Sequence, residues 1–327
     1  MSNLEVLRTK FAGLELKNPI IIGSCSLTST PESIQKLEKA GAAAVVLKSL
    51  FEEQLMSESG LYGSVEALHP ENWDYLKSFG TQIRPLDYIH LIQATKSLVT
   101  IPIIASLNCQ NRPQWSEFAI LLQNAGADAL ELNIAPWSNQ AQAPGWAEQL
   151  VLEIVSQVRQ DVSLPLIVKL SDNFSSLTWL VEQLTALGVQ GVTLFNRFYH
   201  PDIDIHELKW STGKRFSTPH EFGPHLKWYS LLSGRGVDVC ATGGVHSAEE
   251  VIKALLAGAS CVQVVSALYI NKYETIINIL KDIELVLKER CWESIEDFQG
   301  AFRWDRGQNV EVLSRRQYIR YLVGKDF

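Results

Sequence analysis

The chain has 327 residues, of which 46% are hydrophobic, so it is long enough to bury a sizeable core. Its formal net charge of −7 argues against a nucleic acid as the main partner. The N-terminus shows no basic-then-apolar leader, and no apolar run is long enough for a transmembrane helix. We therefore expect a cytoplasmic protein without a membrane partner. The five cysteines lack metal-ligand spacing, so we expect free thiols and no metal site.

Short apolar runs alternate with helical patterns along the chain, and they begin at NPIIIGSC. The next segment, TPESIQKLEKA, has Thr30 as a helix N-cap and Pro31 at the first helical position. Further helical patterns cover residues 115–125, 146–161, 177–187 and 247–257. The runs that read as buried parallel strands are residues 18–25, 39–49, 101–109, 124–134, 164–171, 186–196, 237–245 and 256–266.

Eight strands alternating with helices are typical of an α/β chain folded as a (β/α)8 TIM barrel. We place this single barrel over residues 1–303 and a C-terminal extension over 304–327. A doubly wound sheet is the alternative, but GSCSLTS after the first strand is not a G-x-G-x-x-G turn. Two long connections, residues 50–100 and 197–236, are expected to carry lids or binding loops at the C-terminal face.

Active sites of such barrels lie at the C-terminal ends of the strands. Two lysines and two asparagines converge on that rim, although a lysine that ends a strand is often only a structural ion-pair partner. The polar, cysteine and glycine positions at these ends are Gly23, Ser24, Cys25, Lys48, Ser49, Ser106, Asn108, Cys109, Asn133, Lys169, Ser171, Asn196, Arg197, Gly243, Gly244 and Ser266.

The last two strands suggest a phosphate site. Gly243 and Gly244 would let the backbone approach an anion, and a helix starting at Ser247 would offer free N–H groups to it. The amides of Val265 and Ser266 would add to this site. The alternative is that the two glycines form only a tight turn.

These strand ends resemble the dihydroorotate dehydrogenases, most closely the soluble class one type. The likeness covers roughly residues 8 to 303. Its motifs, in chain order, are NPIIIGS, KS (48–49), ELN (131–133), VKLS (168–171), FN (195–196), ATGGV, VQVVSAL and SIEDFQG. The resemblance implies an FMN-dependent barrel in which a base takes a proton from substrate C5 while a hydride leaves C6 for the flavin. It also implies a homodimer.

By this resemblance the flavin would lie across the barrel mouth, with a lysine near its ring and the last two loops around its phosphate. Arg197 is also a plausible clamp for a substrate carboxylate, unless it is only a solvated loop arginine. The implied cofactor-binding residues are Gly23, Ser24, Lys48, Ser49, Ser106, Asn133, Lys169, Gly243, Gly244, Val265 and Ser266, and the implied substrate-binding residues are Lys48, Asn133, Asn196 and Arg197.

The substrate half departs from the family pattern. The soluble enzymes read N-x-S-C-P-N after the fourth strand, with Cys as the base, whereas this chain reads NIAPWSN and has no thiol there. ALHPENWDYLKSFG replaces the family's N-S-M-G segment, Arg197 replaces Ser or Thr, and Val265 replaces Gly. The remaining candidates for the base are Ser138 and Cys109, followed by Cys25, His200 and His69.

Three interpretations remain open. The first is an FMN-dependent oxidoreductase that converts dihydroorotate to orotate. The second is an FMN enzyme of the same fold with another substrate, and the third is a barrel that binds flavin or phosphate without catalysis. The sequence does not identify the electron acceptor; without an iron–sulfur cysteine cluster, such a centre would belong to a partner chain.

Overall fold

The computed structural model describes residues 6–51, 85–109, 112–136, 138, 140–197, 201–212, 214–306 and 310–323. In these segments the strands are β1 Thr9–Phe11, β2 Leu14–Leu16, β3 Ile20–Ile22, β4 Ala44–Val46, β5 Leu50–Phe51, β6 Ile103–Asn108, β7 Ala129–Asn133, β8 Leu166–Leu170, β9 Gly191–Leu194, β10 Pro201–Asp204, β11 Lys209–Thr212, β12 Asp238–Thr242 and β13 Cys261–Val264.

Eight of these strands form a closed parallel barrel in the order β3-β4-β6-β7-β8-β9-β12-β13. Pairing of β13 with β3 and of β4 with β6 closes the ring. The two-residue β5 adds a second short pairing to β6. The predicted (β/α)8 barrel is confirmed, and each of the eight predicted apolar runs contains one of its strands.

Helices fill most of the intervals between the barrel strands. Thr30 caps the first helix by accepting a hydrogen bond from the Ser33 amide, and Pro31 is its first residue, as predicted. The described helices are α1 Pro31–Lys39, α2 Pro85–Leu98, α3 Arg112–Asn124, α4 Trp146–Asp161, α5 Leu177–Ala186, α6 Gly223–Leu232, α7 Ala248–Leu256, α8 Ser266–Asn271, α9 Glu274–Arg290 and α10 Val310–Val323. None of them is long and apolar enough to span a membrane.

An antiparallel hairpin of β1 and β2 closes the N-terminal end of the barrel. Phe11 belongs to the apolar cluster inside the barrel, and a Cβ added to Gly191 would lie 2.9 Å from its ring. The Ala12 amide donates to Asp238 at 2.8 Å, which ties the hairpin turn to β12. The lower barrel is therefore a packed core, and only its upper, C-terminal end is open to a ligand.

Candidate active site

A cleft of about 400 Å³ opens at the C-terminal ends of β8, β9, β12 and β13. Among the residues that the structure describes, its lining contains three cations and no carboxylate, although the whole chain has a net charge of −7. Such a cleft favours an anionic ligand. The lining residues are Ser24, Ser26, Lys169, Phe195, Asn196, Arg197, Arg215, Phe216, Ser217, Thr242, Gly243, Gly244, Val245, Gln263, Val265, Ser266 and Tyr269.

A buried polar network lies directly beneath this cleft. The Glu131 side chain is fully buried, and its Oε2 accepts from Gln263 Nε2 at 2.6 Å and from Thr193 Oγ1 at 3.0 Å. Lys169 Nζ lies 3.8 Å from Glu131 Oε1 and donates to Gln263 Oε1 at 3.2 Å. Alternation along the strands turns these side chains inward, so the network fixes one ammonium group at the floor of the cleft.

A row of hydroxyl groups, which lie in or just after β3, β4 and β6, continues this polar layer. Ser49 Oγ lies 2.7 Å from Ser106 Oγ and 3.1 Å from Ser24 Oγ. The Ser49 amide donates to Ser24 Oγ, and the buried Tyr88 hydroxyl bonds to the backbone of Ser106. Three of the predicted cofactor-binding residues are thus brought together, and of these Ser24 lines the cleft itself.

The loops after β12 and β13 form the opposite end of the cleft. Gly243 and Gly244 have φ of +88° and +77°, and a Cβ on Gly244 would lie 2.5 Å from the Phe222 nitrogen. Only glycine fits at Gly244, and both glycines line the cleft. Ser266 Oγ accepts from the Ser217 amide at 3.0 Å and keeps its own hydrogen to donate.

The helix after Gly244 was expected to offer free N–H groups to an anion, but its N-terminal cap changes this expectation. Ser247 Oγ accepts from the Glu249 amide, and Glu250 accepts from the Ser247 and His246 amides. The Glu249 amide and the two amides before α7 are therefore already used, and a carboxylate stands at that end. An anion in the cleft would meet the loops around Gly243 and Ser266 rather than the start of α7.

Three asparagines meet at the ends of β6, β7 and β9. Asn196 Nδ2 donates to Asn133 Oδ1 at 2.9 Å, and Asn108 Nδ2 donates to the Asn133 carbonyl at 2.8 Å. Lys48 follows β4. Because alternate residues of a strand point to the same side, Lys48 points into the barrel like Ala44 and Val46, and it is half-buried. The structure thus groups Asn133 with Asn196, as predicted, and Asn196 lines the cleft.

Comparison with known proteins agrees with this geometry. The family model described as dihydroorotate dehydrogenase matches residues 226–287. A protein of Pyrococcus abyssi named dihydroorotate dehydrogenase B (NAD(+)), catalytic subunit, is 28% identical over 90% of this chain and 98% of its own length. Proteins of the same name from Methanocaldococcus jannaschii and Methanosarcina acetivorans are 26% and 28% identical, over 87% and 88% of this chain and 96% and 93% of their own lengths.

Over most of its length this chain is thus similar to proteins named dihydroorotate dehydrogenases, which are oxidoreductases. The roles expected for the lysine beneath the cleft and for the asparagine pair stay predictions.

The surroundings of the candidates for the catalytic base differ. Among the described residues, Ser138 Oγ forms hydrogen bonds with backbone and side-chain amide groups of Gln140 and Gln142 in its own loop. Cys109 packs in the apolar layer between strands and helices, so it faces away from the mouth. Burial raises the pKa of the Cys25 thiol, which disfavours the thiolate that a base requires.

Two further candidates for the base, His69 and His200, lie outside the described residues. Ser138 therefore stays a prediction, whereas the position of Cys109 no longer suits the role suggested for it.

Arg197 lines the cleft but is engaged elsewhere. Its Nε donates to Glu221 at 2.8 Å, and its terminal nitrogens donate to backbone carbonyls of residues 214–216. Burial acts to raise the pKa of Glu221, but hydrogen bonds from Arg197 and from the Thr218 amide outweigh it and lower that pKa. A substrate carboxylate could bind Arg197 only by replacing these partners, so the predicted clamp becomes an anchor for the loop.

A second cavity, about 560 Å³, is lined by the starts of α4 and α5 and by the residues just before them. Its described lining contains Glu148, which accepts hydrogen bonds from the amides of Ser175 and Ser176, and no lysine or arginine. Because no residue of a barrel strand is among the described residues of this lining, we assign the candidate site to the cleft at the strand ends.

Sequence reasoning assigned no role to Gln263, Thr193 or the Glu131 carboxylate. The sequence did contain a signal for them. Side chains alternate between the two faces of a strand, and a glutamate, a threonine and a glutamine stand at the inward-pointing positions of otherwise apolar strands. It also assigned none to Arg215 and Tyr269, which lie in segments without a family motif.

Proposed function

We propose that this chain is an FMN-dependent oxidoreductase that oxidises dihydroorotate to orotate in pyrimidine biosynthesis. The charge and the two ends of the cleft are the observations that support this proposal. One end holds the buried ammonium of Lys169, the other holds the Gly243–Gly244 turn, and the described lining residues include cations but no carboxylate. These features suit a flat cofactor that gains negative charge at its ring and ends in a phosphate.

Each end of the cleft has a distinct role in this proposal. Bound FMN would supply the redox chemistry by accepting a hydride from the substrate. Lys169, held by Glu131 and Gln263, would stabilise negative charge at the ring. The backbone at Gly243 and the hydroxyl of Ser266 would hold the phosphate.

The asparagine pair would orient a planar substrate. Asn133 and Asn196 present amide groups that match the amide and carboxylate edge of dihydroorotate. Lys48 is half-buried on the same rim and would support bound substrate or cofactor. The proton at C5 needs a base, for which Ser138 is the nearest hydroxyl to the family position, so activity would depend on a group that deprotonates it.

A second candidate function is an FMN oxidoreductase with another substrate. The engagement of Arg197 by Glu221 and the local, amide-only partners of Ser138 favour it, because both lie on the substrate side. The residues that would hold FMN would have the same roles as in the first proposal. A barrel that binds flavin or phosphate without turnover is the third possibility.

We further propose a homodimer and a partner subunit. The relatives are named catalytic subunits of an NAD(+) enzyme, so a second chain would carry electrons to NAD+. The β10–β11 hairpin exposes Ile203, Ile205, Leu208 and Trp210, a surface that a second copy would cover. Light scattering of wild type and Trp210→Ser tests this, since loss of the dimer is expected and an unchanged dimer would exclude the hairpin.

The decisive experiment is the visible spectrum of the purified protein, followed by anaerobic addition of dihydroorotate. We expect a flavin spectrum that bleaches with dihydroorotate but not with dihydrouracil, which lacks the carboxylate. A flavin that stays oxidised with dihydroorotate and bleaches with another substrate would favour the second function. Flavin that no tested substrate reduces would favour the third, and failure to take up FMN would reject the cofactor assignment.

A further inference from the structure

A short segment, residues 214–217, crosses the outer end of the cleft; we call it the strap. Arg197 holds it from β9, because its guanidinium donates to the carbonyls of Lys214 at 2.9 Å, Arg215 at 3.2 Å and Phe216 at 3.4 Å. Three acceptors on successive residues fix the course of the strap backbone.

The far side of the strap is fixed by the last two barrel loops. The Ser217 amide donates to Ser266 Oγ at 3.0 Å, and Ser217 Oγ lies 3.1 Å from His246 Nε2. The Phe216 ring stacks on Tyr269, with centroids 5.3 Å apart. The strap is therefore attached to the same loops that would hold the cofactor phosphate.

This attachment presents one cation to the cleft. The Arg215 guanidinium lies over the two stacked rings, 5.2 Å and 6.0 Å from their centroids, and lines the cleft. The other two cations that line the cleft are already paired with carboxylates: Lys169 lies near Glu131, and Arg197 forms an ion pair with Glu221. Among the residues that the structure describes, Arg215 is the lining cation without an acidic partner.

We propose that Arg215 pairs with the phosphate of the bound flavin and so makes the cleft selective for FMN over riboflavin. This inference rests on the proposed function. Gly243 and Ser266 line the same end, and they offer backbone and hydroxyl donors but no charge. A phosphate monoester carries up to two negative charges, and a guanidinium held over aromatic rings supplies paired donors to its oxygens.

The test compares the affinity of flavin-depleted protein for FMN and for riboflavin, measured by quenching of flavin fluorescence. Arg215→Gln should weaken FMN binding about tenfold and leave riboflavin binding unchanged, because a charged hydrogen bond at a partly exposed site is lost. Arg215→Lys should fall between wild type and Arg215→Gln. Lys214→Gln is the matched control, since it removes the same charge from the exposed side of the strap.

The outcomes separate this inference from the proposed function. Unchanged FMN affinity in Arg215→Gln would overturn it, and so would equal losses for FMN and riboflavin or an equal loss in Lys214→Gln. A wild-type protein that binds neither flavin would instead overturn the proposed function, and this inference with it. The preference of wild type for FMN should also shrink as salt is raised, and that dependence should weaken in Arg215→Gln.

Discussion

Replacing Glu131 by glutamine tests the buried network beneath the cleft. Glu131 Oε2 accepts from Gln263 at 2.6 Å and from Thr193 at 3.0 Å, and its Oε1 lies 3.8 Å from Lys169 Nζ. Glu131 is 0% exposed and Lys169 is 9% exposed, so water cannot replace the lost charge. Glutamine keeps the shape but leaves the ammonium without a counter-charge.

The expected cost is large because the surviving charge stays buried. Removing one member of a buried ion pair typically costs about 3–5 kcal/mol, and glutamine keeps part of the hydrogen bonding, so we expect about 3 kcal/mol here. Adding Lys169→Met removes the stranded ammonium. The double variant Glu131→Gln/Lys169→Met should therefore be more stable than Glu131→Gln alone.

Urea unfolding without added flavin, followed by circular dichroism, measures these differences. Glu15→Gln is the control, since Glu15 pairs with Lys10 at 2.7 Å but both side chains are more than 70% exposed. Its unfolding midpoint should hardly move, although its ion pair is the shorter one. The reasoning is refuted if Glu131→Gln lowers the unfolding midpoint as little as Glu15→Gln does. It is also refuted if the losses in free energy of unfolding of Glu131→Gln and of Lys169→Met, each measured alone, simply add in the double variant.

Three further predictions concern single groups. Gly13→Ala and Gly244→Ala both place alanine at φ near +80°, and the second should lower the urea midpoint more because its Cβ would meet a backbone nitrogen at 2.5 Å; equal losses would contradict this. The lowered pKa of Glu221 implies stability that is complete above its ordinary value of 4.5 and is lost as the pH falls below it; Glu221→Gln should flatten that part of an acid titration followed by circular dichroism, and an unchanged titration would contradict it. The raised pKa of Cys25 predicts slow alkylation at pH 8 beside the exposed Cys291, read by mass spectrometry; equal rates would restore Cys25 as a candidate base.

The barrel strands could be predicted because their signal is local. Each is a short apolar run next to a helical pattern, and for α1 even the cap at Thr30 and the first residue Pro31 follow from neighbouring residues. Two helices and a hairpin inside the long connections were not predicted. The α2 and α6 segments and the β10–β11 hairpin lie in stretches that we treated only as loops.

The cleft chemistry was only half predictable, because it depends on pairs that are distant in sequence. Glu131 bonds Gln263 across 132 positions, and Ser49 meets Ser106 across 57. No local pattern indicates which inward polar residues face each other. The cap at Ser247 shows the opposite case, since Glu250, three residues later, is the sequence signal of the capping box that the structure contains.

The two halves of the mouth are constrained differently, which explains why the family likeness is stronger for the cofactor than for the substrate. The cofactor half consists of strand residues and tight turns, such as Lys169 and Gly244, whose replacement disturbs the barrel itself. The hydrogen bonds of Ser138 among the described residues are to Gln140 and Gln142 of its own loop, so this loop can change with little cost to the core. A chain can therefore keep its flavin chemistry while its base and substrate change. Identity of 26–28% to dihydroorotate dehydrogenases thus supports the cofactor assignment more strongly than the substrate.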